Sequence, residues 1–190
     1  MMKFFALLIS LLISNYTFSQ VYKSTDLNRL NSIHARDSVY ILEYQTAKKF
    51  HELLNQYRNK KGLTELSWSD DLWLTGRNHN LWMMVNQKLS HQENNISKNF
   101  TGKGPGDRLK YVAKDKCTWT GENCLYNYAY DEKLSVQDNA IQIAKESLEQ
   151  WKTSSGHNKN MLGEHESQAT SFIIDKRGVV WATTLFGICK

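Results

Sequence analysis

Between Val39 and Lys61 the apolar side chains Ile41, Leu42, Tyr44, Ala47, Phe50, Leu53, Leu54 and Tyr57 fall at helical spacing, which gathers them on one face of an α-helix. Gly62 follows the basic last turn and marks its stop. A helix with one apolar face must bury that face against a second layer, and this requirement limits the chain to a few layered architectures. The far end of the chain supplies the other layer. Ser171 to Asp175 and Val179 to Ile188 are rich in strand formers and are joined by the turn Lys176-Arg177-Gly178, the pattern of an antiparallel hairpin. Helices followed by antiparallel strands predict an α+β domain with helices packed on a sheet.

Two more helices can be placed from their start signals. Ser69 caps one through Asp70 and Asp71, whose negative charges suit a helix N-terminus, and it continues past Leu72, His79 and Met83 toward Gln87. Ser135 opens another, with Asp138 where a capping box has Glu, and Ile141, Ala144, Leu148 and Trp151 form its apolar line up to a stop at Ser155-Gly156. Residues 92–116, rich in Asn, Lys and Gly with one short apolar patch at Leu109 to Ala113, read as a long loop of the kind that carries function.

The first residues carry a different message. Met1-Met2-Lys3, the apolar run Phe4 to Ile13 and the small residues Thr17 and Ser19 resemble a signal peptide cleaved after residue 19. That run is too short to span a bilayer, and nothing later approaches the roughly 20 apolar residues a membrane helix needs. Its removal leaves 171 residues with a net charge of +4, since Lys3 is the only charged side chain lost. Such a length suits one core, so residues 20–44 are expected to be an N-terminal leader segment and residues 45–190 a single domain. The basic residues are scattered among acids, which gives no footprint for nucleic acid. Export implies a compartment where disulfides form. Three cysteines permit one internal bridge. Cys117 and Cys124 are the candidate pair, with Cys189 either free or taking one of them.

Familiar catalytic patterns fail on inspection. His51-Glu52-Leu53-Leu54-Asn55 starts like a zinc-protease helix but ends in Asn, so the second histidine is missing. No Gly-x-Ser-x-Gly elbow occurs, and Cys124 with His157 and Asn160 has the residue types of a thiol protease without any sign of their geometry. His34, His51, His79 and His165 read as packed or surface histidines, and the six tryptophans mostly as core.

A set of ordered motifs goes further. Leu53 to Arg58, Gly62-Leu63-Thr64-Glu65-Leu66-Ser67-Trp68, Leu72, His79 and Leu89-Ser90-His91 are followed by Gly121-Glu122-Asn123. Then come Trp151, Ser154 and Gly156-His157-Asn158-Lys159-Asn160-Met161-Leu162, and finally Trp181 to Gly187. Together they resemble the CAP superfamily domain of cysteine-rich secretory proteins, antigen 5 and pathogenesis-related proteins, in its bacterial form, over about residues 45 to 187. Departures are Asn158 where bacterial members carry Arg, Ala169-Thr170-Ser171 in place of a Gly-containing strand, and Ser154 where eukaryotic members have a second acid.

The resemblance implies an α-β-α sandwich of helices around a short antiparallel sheet. It places the family's cavity group on His91, Glu122 and His157, with Glu149 the nearest carboxylate to replace the missing acid. Five residues from Ser154, Glu149 lies about 140° around a helix from it, which argues against that role. Imidazoles and carboxylates suit a divalent metal such as zinc, with His91 and His157 as the candidate ligands. The family implies a secreted or extracytoplasmic binding or interaction module with a sterol, lipid or cell-surface ligand. The alternatives are a metal-assisted hydrolase in which Glu122 activates water, and a structural envelope protein whose polar cluster only stabilises the fold.

Overall fold

The computed structural model describes residues 20–190, so the expected leader at residues 1–19 lies outside the described part. A short 3-10 turn leads to α1 (Leu27–Ile33), then α2 (Ser38–Asn59), β1 (Ser67–Trp68), α3 (Asp70–Asn86) and α4 (Pro105–Ala113). β2 (Cys117–Asn127), α5 (Val136–Thr153), α6 (Ser155–Met161), β3 (Ser167–Ile174) and β4 (Val180–Cys189) complete it.

The β3–β4 hairpin is the centre of a four-stranded sheet in the order β1-β3-β4-β2. β2 runs antiparallel to β4, from Cys117 opposite Cys189 to Asn127 opposite Val180, with a bulge between Trp119 and Gly121. β1 is a two-residue parallel addition beside β3. Every residue of β3 is buried, as expected of a strand covered on both faces. α2 and α5 pack together on one face, and α3 with α4 covers the other. The chain is therefore an α-β-α sandwich of the α+β class.

The apolar stripe of α2 does what its spacing predicts. Phe50 is fully buried between the edge of Trp151 at 5.2 Å and Phe172 at 6.1 Å, which joins α2 to α5 and to the sheet. Asp37 accepts from the amides of Val39 and Tyr40 and caps α2, while Gly62 takes the left-handed φ of 74° that ends the turn after it. Ser69 and Ser135 cap α3 and α5 as expected.

Four expectations need correction. Residue 44, set as the end of the leader, lies inside α2, and Tyr22 and Leu30 from the segment before it are buried in the main core. The long loop contains α4, with Pro105 in its first turn and the Asp107 carboxylate accepting from the Gly104 amide. Ser155-Gly156 ends α5 but also opens α6. The disulfide joins Cys117 to Cys189, not to Cys124, which is a buried free thiol. The register explains this: Cys117 and Cys189 face each other across β2 and β4, whereas Cys124 is opposite Thr183 deep in the sheet.

Candidate functional site

Five elements bring polar side chains to one place beside β2. His91 comes from the segment after α3, Arg108 from α4, Glu122 and Cys124 from β2, His157 from α6, and His79 from the middle of α3. Glu122 is the hub. Its Oε1 accepts from His91 Nδ1 at 2.8 Å and its Oε2 from the Arg108 guanidinium at 2.6 Å. Arg108 also donates to the His91 carbonyl at 3.1 Å, fixing the backbone of the residue whose ring meets Glu122. Burial by itself would raise the Glu122 carboxyl, but the His91 hydrogen bond and the Arg108 charge outweigh it and hold the group at about 2.

Behind Glu122 the network continues into the protein. Arg108 Nε lies 3.8 Å from Glu93, which accepts from the Thr101 amide at 2.7 Å and so closes the loop between them. His79, fully buried, faces the Glu93 carboxylate at 2.9 Å with Nδ1 and the Ser90 carbonyl at 2.8 Å with Nε2. Both ring nitrogens are therefore engaged, one by a carboxylate and one by a carbonyl. Basic and acidic side chains thus alternate from His79 through Glu93 and Arg108 to Glu122. That arrangement lets the Arg108 guanidinium and its two carboxylate neighbours share a dry interior.

The outward side of the hub is different. The His91 side chain is 50% exposed. With Nδ1 turned to Glu122, its Nε2 faces away from the hub. His157 is half-buried nearby. Its imidazole is held below the ordinary histidine range by burial and then by the charge of His91. Asn123 and Asn160 fix the α6 turn that carries it, Asn123 donating to the His157 carbonyl at 3.0 Å and Asn160 to the Glu122 carbonyl at 3.1 Å.

His91, Glu122 and His157 therefore converge, and Glu149 does not. It sits on the exposed flank of α5, paired with Lys152 at 2.7 Å, because the helical twist turns it away from the cleft. Asn158 points elsewhere too, accepting from the Tyr57 hydroxyl at 3.0 Å. A second cluster, of His79, Glu122 and Cys124, has potential ligand atoms within 4.8 Å of one another. It does not suit a cation, since both His79 nitrogens are already engaged by Glu93 and Ser90 and burial pushes the Cys124 thiol well above its usual range. The same shift leaves Cys124 a poor nucleophile, and its histidine neighbour is His91 at 3.7 Å.

Sequence reasoning missed Arg108 and Glu93 and read His79 only as packing. Arg108 was within reach: Pro105 two residues before Asp107 is a helix-start signal that places Arg108 in the first turn of α4. Nothing in the order of residues points to Glu93.

The sequence profile of the cysteine-rich secretory protein family, CAP, matches residues 51–171. The chain belongs to this family. Among solved structures, the CAP domain described here is similar to an extracellular SCP-domain protein of Bacillus anthracis, with a TM-score of 0.58 and 21% identity. That match covers 80% of this chain and 43% of the other, so the chain spans less than half of that protein. It is also similar to an outer surface protein of Borrelia burgdorferi, with a TM-score of 0.56 and 12% identity over 75% of this chain and 92% of the other. At these identities the likeness shows the fold. No curated protein matches the chain. Among the described residues no helix is long and apolar enough to cross a membrane.

Proposed function

We propose that this CAP domain acts outside the cytoplasm as a binding module whose cleft takes a divalent cation through His91 and His157. The observation that carries the reading is the pairing of His91 Nδ1 with the buried Glu122 carboxylate at 2.8 Å. A carboxylate behind an imidazole fixes the tautomer that presents Nε2 and makes that nitrogen more basic, which is how metal-bound histidines are commonly supported. His157 contributes the second ring, and its lowered pKa keeps it neutral and able to donate a lone pair in mildly acidic surroundings. A bound zinc-like ion would supply Lewis acidity and a point of attachment for an anionic or carbonyl group of a partner. Two protein ligands leave coordination positions for that partner.

The same geometry argues against the hydrolase alternative. A carboxylate with one oxygen held by His91, the other by Arg108, and a pKa of about 2 is a weak base toward water. An extracytoplasmic setting is supported by the leader-like residues 1–19, by the Cys117–Cys189 bridge and by the membership of the secretory family. Residues 20–190 are read as one functional unit, since Tyr22 and Leu30 belong to the common core.

Calorimetric titration with zinc tests the reading, comparing wild type with the His91→Ala/His157→Ala double variant. Wild type is expected to bind, with affinity falling below about pH 6 as protonated imidazole loses its lone pair, and the double variant to lose the heat. Equal heats in both proteins would overturn the assignment. Mass spectrometry of organic extracts of the purified protein tests a lipid or sterol as the partner ligand.

A further inference from the structure

Away from the histidine cleft, a second surface combines exposed aromatic rings with a rigid frame. The end of β2 and the segment after it read Tyr126-Asn127-Tyr128-Ala129-Tyr130. Tyr128 is 74% exposed and Tyr126 43% exposed, with the edge of one ring meeting the face of the other at 6.2 Å. Tyr126 leans in turn on the buried Trp181 at 5.5 Å. Exposed tyrosines on a mobile loop would mean little. Here the backbone beneath them is tied to α5: Gln142 donates to the Ala129 carbonyl at 2.8 Å, and Asn139 donates to the Asp131 carbonyl at 2.8 Å while accepting from the Asp131 amide at 2.9 Å.

The opposite wall is equally fixed. In the β3–β4 turn, the Asp175 carboxylate accepts from the Arg177 amide and guanidinium and from the Val179 amide. Gly178 takes a φ of 78° there, and a Cβ at that position would meet the Tyr130 ring at 3.2 Å, so the turn lies directly against the tyrosine. Between these walls runs an open groove lined by Tyr128, Tyr130, Glu132, Gln142, Lys176 and Arg177, among others.

We propose that this groove binds a neutral oligosaccharide, with Tyr128 as the stacking platform. A sugar ring has one face of C–H groups and a rim of hydroxyls. It is recognised by a flat aromatic surface bordered by planar amide, carboxylate and guanidinium groups, and the groove provides each of these. Its acids, Asp131 and Glu132, stand beside Lys176, while Arg177 is already held by Asp175, so the groove has no excess positive charge to attract nucleic acid or another polyanion. A peptide strand would need free edge groups on β2. The outer carbonyls of Glu122 and Cys124 are already met by Asn160 and Trp151, which leaves only the last residues of β2 for such pairing, too short a stretch to hold a strand. The stiff frame lowers the ordering cost of binding.

Titration of 15N-labelled protein with cellohexaose and with chitohexaose, followed by NMR, tests the proposal. For at least one of the two sugars, shifts are expected in residues 126–132 and 175–178. Tyr128→Ala should weaken binding by about tenfold or more without changing the melting temperature, because the ring is exposed. The His91→Ala/His157→Ala variant should bind as wild type does, which separates this groove from the histidine cleft. The proposal is overturned if neither sugar shifts these residues at about 10 mM, if the shifts map to the cleft, or if Tyr128→Ala binds unchanged.

Discussion

Glu122→Gln preserves the shape of the hub and removes its charge, and its cost follows from the structure. In wild type, Arg108 and His79 face Glu122 and Glu93, all four side chains being at most 1% exposed. Removing this carboxylate takes from the buried Arg108 guanidinium its partner at 2.6 Å, and breaking a buried ion pair from one side costs roughly 3–5 kcal/mol. An independent route gives a similar figure. Lowering the Glu122 carboxyl from its usual 4.5 to about 2 corresponds to about 3 kcal/mol of stability. Because the folded-state value is the lower one, that stability is fully present above about pH 4.5 and is lost as the pH falls toward 2. Urea unfolding followed by tryptophan fluorescence at pH 7 and at pH 3 measures both effects. Glu122→Gln should be several kcal/mol less stable at pH 7, and the difference from wild type should shrink at pH 3. A variant within about 1 kcal/mol of wild type at pH 7, or a difference that does not change with pH, would refute the account of a buried, charge-balanced network.

Other expectations follow from single features. Reducing the Cys117–Cys189 bridge releases a constraint spanning 72 residues and should lower stability by about 4 kcal/mol in the chain-entropy picture, read from urea curves with and without reductant. Alkylation of the native oxidised protein should leave Cys124 unmodified until urea exposes it, as mass spectrometry would show. Trp151→Ala empties a fully buried site against Phe50 and should cost about 3–5 kcal/mol by the same unfolding assay. Glu149→Ala breaks only an exposed pair with Lys152, so it should change stability by less than about 0.5 kcal/mol and leave the zinc titration unaltered.

Much of this protein is legible in the order of its residues because the signals are local. Helical spacing located α2, serine caps located the starts of α3 and α5, and a turn between two runs of strand formers located the central hairpin. Those signals depend on neighbours within a few positions, where propensity, capping and periodicity act. The ordered family motifs carried His91, Glu122 and His157, which the fold does bring together. β2 escaped notice since its residues Cys117 to Asn127 alternate poorly, five consecutive ones being buried by layers on both faces.

What the chain order left open was decided by tertiary structure. Whether Cys117 met Cys124 or Cys189 depended on the β2–β4 register, which aligns residues 72 apart and buries the third thiol. The choice of Arg108 rather than Glu149 as partner for the cleft depended on where α4 and α5 lie against β2. Local sequence specifies which face of a helix is apolar; only packing between distant segments determines which charge stands opposite another once water has been excluded.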